Sequence, residues 1–446
     1  MARVGLGPPE EGVVAGLNHD AEGVVREGRA AFVPGALPGE RIRFARREQH
    51  RSHDEADLLE VLRPSADRVV PGCAHFGICG GCALQHLSVD AQVLAKEREL
   101  FDSLERIGGL RPRERLAPVT GPAWGYRRRA RLGARYVTAK KRSLVGFRER
   151  SSSFVAALER CEVLVPRAGE LIVPLSELAT SLSVRMRLPQ IEVAAGDDLL
   201  VFVLRLLDEP TAEDRERMRE FERRHEVRLL IQRKGPDALD SLDGAPVDLW
   251  YGLPEFGVRL HFRPTDFVQV NGPTNQRMVS RVVELLGLTP EARVLDLFCG
   301  LGNFTLPIAT RAAAVLGIEG DAGLVERARS NAAANGLTHA RFEQANLAGD
   351  GAAETCRLLA ASGGPFTHVL LDPPRTGARE VLDSIALLAP RTIVYVSCHP
   401  GSLARDLQIL TTEHGYDLAA AGIVDMFPHT THVESVAVLH AGSAKR

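Results

Sequence analysis

The stretch that most constrains this chain is Arg293-Val-Leu-Asp-Leu-Phe-Cys-Gly-Leu-Gly-Asn-Phe304. It predicts a short apolar strand, a turn at Gly300-Leu-Gly302, and a helix entered at Asn303-Phe304. Strand, glycine turn and helix N-terminus form the floor of a nucleotide pocket, because glycine lacks the Cβ that would keep a ligand off the backbone. The third glycine of the dinucleotide fingerprint is absent. A second strand over Ala314–Glu319 ends on a carboxylate 23 positions after Asp296, the place from which an acid reaches ribose hydroxyls. Alternation then continues. Helices are predicted over 322–335, 352–361, 378–388 and 402–414, and strands over 341–345, 368–372, 392–397, 419–424 and 434–440. This pattern predicts an α/β fold with a parallel, doubly wound, Rossmann-like sheet and ligands at the carboxyl ends of its strands. Those ends carry Asp296, Glu319, Asn346, Asp372 and Cys398.

A length of 446 residues predicts about three domains, and an apolar content of 45% with 25% charge is ordinary for a globular protein. The sequence has neither an apolar run of membrane-spanning length nor a secretory h-region at its start, which predicts a cytoplasmic protein without a membrane partner. In such a compartment seven cysteines suit metal binding or catalysis better than disulfides. Net charge is −2, yet residues 127–150 hold ten Arg or Lys against one acid, Glu149, with Tyr136 and Phe147 interleaved and Tyr126 adjacent. That mixture fits nucleic acid as well as a solvated face.

Residues 1–64 predict a small barrel, with short apolar runs between turn signals at Asn18-His-Asp20, Glu27-Gly28, Pro34-Gly35 and Pro38-Gly39. Arg41, Arg43, Arg46, Arg47 and Arg51 place positive charge on it, as an OB-like RNA-binding face would require. Cys73, Cys79 and Cys82 then fall within ten residues among glycines, with Cys161 further on. Four thiolates suit tetrahedral zinc or an iron–sulfur cluster, and the spacing alone does not choose. A helix over 90–108, basic strands around Lys140–Arg142, a strand over 199–206, a helix capped by Thr211 and a strand over 227–232 predict a mixed α/β central domain. The divisions expected are 1–64, 65–255 and 256–446.

Three further features carry chemistry. Gln269 and Asn271 alternate with apolar residues on a predicted strand before a helix starting at Thr274. Asp372-Pro-Pro-Arg375 closes the fourth strand, where two prolines stiffen the exit from the sheet and hold the acid beside the glycine turn. Such a placement suits methyl transfer to planar atoms of nucleobases. Val396-Ser-Cys398-His-Pro400 puts a cysteine where the sheet opens, a nucleophile's position, whereas Cys299 and Cys356 read as packing residues. Carbon 5 of uracil is a poor nucleophile until a thiolate adds to carbon 6; a base must later remove the carbon 5 proton. Glu434, in His432-Val-Glu434, is placed to be that base.

Together, Phe267-Val-Gln-Val-Asn271, Asp296-Leu-Phe-Cys-Gly-Leu-Gly-Asn303, Leu371-Asp-Pro-Pro-Arg375, Ser397-Cys398 and His432-Val-Glu434 resemble the RNA uracil-C5 methyltransferases. The N-terminal part resembles a TRAM domain. The four cysteines and Trp124-Gly-Tyr-Arg-Arg-Arg-Ala-Arg131 are similar to the 23S ribosomal RNA branch. The resemblance implies that Gln269, Phe298, Asn303, Glu319, Asn346 and Asp372 contact S-adenosylmethionine. It further implies that Cys398 is the nucleophile, that Glu434 is the base, and that Cys73, Cys79, Cys82 and Cys161 hold a 4Fe-4S cluster in a monomer acting on 23S ribosomal RNA. His399 departs from the Asn common before this proline, which puts the local hydrogen bonding in question. Alternatives are a transfer-RNA uracil-C5 methyltransferase, which typically lacks barrel and cysteine cluster, and a non-catalytic RNA-binding iron–sulfur protein.

Overall fold

The computed structural model describes residues 7–442 apart from 151, 236–237, 350, 353, 356–357 and 359–364. The helix expected over 352–361 falls largely on those positions, and Cys356 lies outside the described residues. Among the described residues no helix is long and apolar enough to cross a membrane.

Strands β1 (Glu10–Leu17), β2 (Glu22–Val25), β3 (Ala31–Pro34), β4 (Arg41–Gln49) and β5 (Asp54–Arg63) close a barrel in the order β1-β2-β3-β5-β4. Alternation fills it: Val14, Val25, Val33, Ile42 and Phe44 point inward and are buried. Four of the five arginines expected to charge its surface are ion-paired. Arg41 and Arg43 pair with Glu11, Arg46 with Glu10 and Asp54, and Arg47 with Glu55 and Asp57. Strand pairing sets acids opposite bases, and it is invisible in local composition.

Helix α1 (Val89–Arg106) and β6 (Glu114–Arg115) follow. The middle sheet contains β7 (Arg129–Val137), β8 (Arg142–Gly146), β9 (Gln190–Ala195), β10 (Leu200–Arg205), β11 (Arg228–Gln232) and β12 (Leu239–Ser241), in the order β12-β11-β10-β9-β7-β8. Its helix Ala212–His225 starts at a capping box, Thr211 accepting from the Asp214 N–H while the Asp214 carboxylate accepts from the Thr211 N–H. The hairpin β13 (Leu249–Leu253) and β14 (Val258–Phe262) leads to the last unit.

That unit is built on β15 (Arg293–Leu297), β16 (Ala314–Glu319), β17 (Ala340–Gln344), β18 (His368–Leu371), β19 (Thr392–Ser397), β20 (Tyr416–Val424) and β21 (Glu434–Ala441), in the order β17-β16-β15-β18-β19-β21-β20-β6. The first five are parallel, as the βα alternation requires. β21 is antiparallel to β19 and β20, because a loop with no crossover helix joins β20 to β21. Residues before the expected boundary at 256 also build this sheet. β6 pairs with β20, and Leu100 and Leu104 of α1 are buried in its core with Leu403 and Leu407. Helical spacing puts those α1 leucines on one face.

Candidate active site

The glycine turn leaves β15 with strained backbone. Phe298 is left-handed at φ 65°, as are Gly300 at 54° and Gly302 at 97°. A non-glycine residue there costs energy that the surroundings must hold, a feature that clusters at ligand sites. The regular helix begins only at Thr305, two residues later than expected. A Cβ built on Gly300 would meet no atom within 4 Å, so the rim is open above it. Beneath lies Asp296, buried, with Oδ2 accepting from the Thr305 hydroxyl at 2.5 Å and Oδ1 without a partner. Burial raises its carboxyl to about 8, and the charges of Asp372 and Glu319 add to the rise.

Glu319 ends β16 and is tied to the turn, its Oε2 accepting from the Gly300 N–H at 3.1 Å and its Oε1 from the N–H groups of Gly320 and Asp321. Asn303 is held differently. Its Oδ1 accepts from Tyr251 and Asn275, both at 2.9 Å, and its amide donates to Asn275 Oδ1 at 3.0 Å, so most of its capacity is spent on the protein. Asn346 is exposed just beyond β17, with Oδ1 accepting from the Ala348 N–H. Gln269 lies in irregular chain and not on the strand expected. The 263–271 segment is anchored from the side, as Arg128 N–H donates to Val270 O and the Asn271 side chain caps the helix Gly272–Leu286.

At the other end of the rim the register of β19 and β21 is decisive. Ser397 pairs with Ser435, so the next residue outward on each strand, Cys398 and Glu434, stands at the same sheet end. Burial raises the Cys398 thiol to about 11, with the Glu434 and Asp372 charges adding and Arg375 opposing. Glu434 is buried and raised to about 8, again mainly by burial, with Asp372 adding and Arg375 and Lys96 opposing. Burial lifts Asp372 to about 7. The three groups therefore share one low-dielectric site and resist simultaneous ionisation. Cys398 opens onto a cavity of about 530 Å³ lined also by Arg375, His399, His432, Lys96 and the β1–β2 turn at Asn18–Asp20. His399 fills the role in question: its Nδ1 accepts from the Ser402 N–H at 3.1 Å and caps the helix Pro400–Thr412.

The model of the family described as tRNA (Uracil-5-)-methyltransferase matches residues 253–441, the unit carrying this rim. Along nearly its whole length the chain is 51% identical to the 23S rRNA (uracil(1939)-C(5))-methyltransferase RlmD of Thiobacillus denitrificans, over 95% of this chain and 98% of that one. It is 50% identical to the protein of the same name from Alkalilimnicola ehrlichii, over 96% of each. The chain belongs to the RNA uracil-C5 methyltransferase family. Its fold matches the crystal structure of Pyrococcus abyssi tRNA (uracil-54, C5)-methyltransferase in complex with S-adenosyl-L-homocysteine, with a TM-score of 0.72 at 24% identity, covering 96% of this chain and 100% of that chain. As an enzyme of this family it is an S-adenosylmethionine-dependent methyltransferase.

Away from the rim, Cys73, Cys79, Cys82 and Cys161 line one small pocket with Phe76, Phe147 and Arg127. Burial raises the thiols of Cys79 and Cys161, and that of Cys82 to about 12, and the mutual charges of the group add to each. Thiols set together against such a penalty fit a cationic centre that would hold them as thiolates. Sequence reading missed Gln92, Lys96, Asp425 and His429, all of them buried. The signal available was Gln92 and Lys96 four apart, on the face of α1 that turns inward.

Proposed function

We propose that the chain methylates carbon 5 of a uridine in 23S ribosomal RNA through a covalent adduct of Cys398, with Glu434 as base. The juxtaposition of Cys398 and Glu434, each one residue beyond the Ser397–Ser435 pair of β19 and β21, carries the reading. The RNA class is supported by the two bacterial relatives, alike over the whole chain and named for uracil 1939. Identity of 51% and 50% to those relatives, against 24% to the transfer-RNA enzyme over a span just as long, favours the ribosomal over the transfer-RNA branch.

The donor fits the open glycine rim, where Asp296 offers an unpartnered oxygen and Glu319 holds the turn. Gln269, Phe298, Asn303, Glu319, Asn346 and Asp372 would contact it. S-adenosylmethionine supplies an electrophilic sulfonium methyl when bound. Cys398 attacks as its thiolate, adding to uracil carbon 6, and the ring electrons move to carbon 5 and oxygen 4. Carbon 5 then forms its bond to the methyl carbon as the sulfonium sulfur leaves with its electron pair. Glu434 next takes the carbon 5 proton, the 5,6 double bond re-forms, and the Cys398 thiolate is expelled. Arg375, beside both groups, favours their ionised forms.

The four thiols would hold a 4Fe-4S cluster. Among the described residues, the three-ligand group with all donor atoms within 4.8 Å of one another is Glu48, His50 and Glu55, not a trio of these cysteines. Zinc, with bonds near 2.3 Å, would draw four sulfurs to about 4 Å apart, whereas cluster ligands sit on separate irons. We read 1–64 as a TRAM-like barrel, 65–255 as the cluster-bearing central part and 256–446 as the catalytic part, with α1 and β6 lent to the last. The protein is placed in the cytoplasm as a monomer.

The test is a pair of variants on unmodified 23S RNA. Glu434→Gln should methylate once and remain bonded to RNA through denaturing electrophoresis. Cys398→Ala should neither methylate nor form an adduct. Normal turnover by Glu434→Gln, or an adduct in Cys398→Ala, would overturn the roles.

A further inference from the structure

Between β20 and β21 runs a segment, Asp425–Val433, that ends directly at Glu434. It is gripped from one side by α1. Lys96 Nζ donates to Asp425 Oδ1 at 2.6 Å and to Phe427 O at 2.9 Å, and both charged side chains are at most 3% exposed. One turn earlier, the fully buried Gln92 accepts from the His429 N–H at 2.7 Å, and its amide nitrogen lies 3.2 Å from His429 Nδ1. The same amide donates to Leu84 O and Leu87 O, at 3.0 and 2.8 Å.

His429 also faces the cysteine segment. Its carbonyl accepts from the N–H groups of Ala83 and Leu84, at 2.8 and 3.0 Å, directly after Cys82. Its ring packs on Trp124 with centroids 4.0 Å apart, and the neighbouring Pro428 carbonyl accepts from the buried Tyr126 hydroxyl at 3.1 Å. The His429 backbone is left-handed at φ 65°, a conformation a histidine rarely adopts unless its surroundings impose it. Two polar side chains four apart on the buried face of a helix are an expensive way to fill a core, since apolar residues would pack there without desolvation cost. Their hydrogen bonds converge on the segment that delivers the base.

We propose that Asp425–Val433 is a strap through which α1 and the four-cysteine segment set the position of Glu434, and that Gln92 and His429 are positioning residues for that base. The inference rests on the covalent reading above. Without the grip the strap relaxes and the Glu434 side chain, at the first residue of β21, loses its orientation toward the carbon 5 proton, while Cys398, carried by β19, still attacks. The block falls at elimination alone.

The experiment uses the full chain on unmodified 23S RNA, with His429→Asn, Gln92→Leu and Glu434→Gln in parallel. Asparagine tolerates the left-handed backbone, so His429→Asn removes the ring without adding strain. Calorimetric binding of S-adenosylhomocysteine verifies the catalytic unit in each. Both strap variants should complete a first methyl transfer, turn over about a hundredfold more slowly, and leave a denaturation-resistant RNA adduct. If Gln92→Leu does not fold, His429→Asn decides. An adduct in Glu434→Gln but none in the strap variants overturns the strap alone. Absence of an adduct in Glu434→Gln removes the base assignment, and the strap proposal with it.

Discussion

Cys398 and Glu434 are 36 positions apart, and each was identifiable as a candidate by the motif around it. Their partnership in one reaction was read from those motifs, but their adjacency at one sheet end was not, because it depends on β21 inserting antiparallel beside β19. Asn303 shows the converse: its motif was legible, but Tyr251 and Asn275 occupy much of its amide, which only the fold reveals. Glu319 accepts from the glycine turn and from its own loop. Glu319→Ala removes that acceptor; a lost hydrogen bond to a charged group costs about 1.5–3 kcal/mol. Donor affinity should therefore fall by roughly ten- to a hundredfold, and an unchanged dissociation constant by calorimetry would take Glu319 out of the site. The raised carboxyl of Glu434 also sets a pH dependence. A base must be ionised, so the elimination rate should climb as pH passes through about 8, in rapid-quench measurements of adduct decay. A flat profile from about pH 6 to about pH 9 would argue against Glu434 as the base.

Helix α1 was expected over 90–108 from its flanking residues; it starts one residue earlier, after Ser88, whose side chain accepts from Ala91 N–H. Its allegiance was not expected. Sequence position assigns it to the central part, yet its leucines pack under the catalytic sheet and its Lys96 pairs with Asp425 329 positions away. Removing one partner of a buried pair leaves the other charge without compensation, which costs about 3–5 kcal/mol. Lys96→Ala should lower unfolding free energy by that order in denaturant titration, whereas replacing Lys96 and Asp425 together with apolar residues should recover much of it. A loss under about 1 kcal/mol would mean that water reaches the pair. The Thr211 capping box is a local device that both readings agree on, since its two hydrogen bonds lie within four residues. Thr211→Ala should cost about 1 kcal/mol in the same titration.

Across the whole molecule, Asp296, Asp372 and Glu434 bind protons more tightly folded than unfolded, with folded values of about 8, 7 and 8. Their contribution to stability is full below the unfolded value of about 4 and is lost as pH rises through the folded values. The melting temperature of the free protein should thus decline between about pH 4 and about pH 8 and level off above that. A rising melting temperature over that range would contradict the site's electrostatics. For the thiol pocket, anaerobically purified protein should be brown and carry about four irons per chain, and colourless zinc-loaded protein would refute the cluster. The alternation of β and α, the glycine turn, the cysteine spacing and the barrel's turn signals were determined by the sequence itself, because each is a pattern over a few neighbouring residues. Tertiary structure alone decided the ion pairing of the barrel's arginines, the antiparallel insertion of β21, the attachment of α1 and β6 to the catalytic sheet, and the hydrogen bond between Gln92 and the His429 backbone. Those depend on residues brought together across tens to hundreds of positions, where local pattern carries no information about which strand edge or helix face will meet.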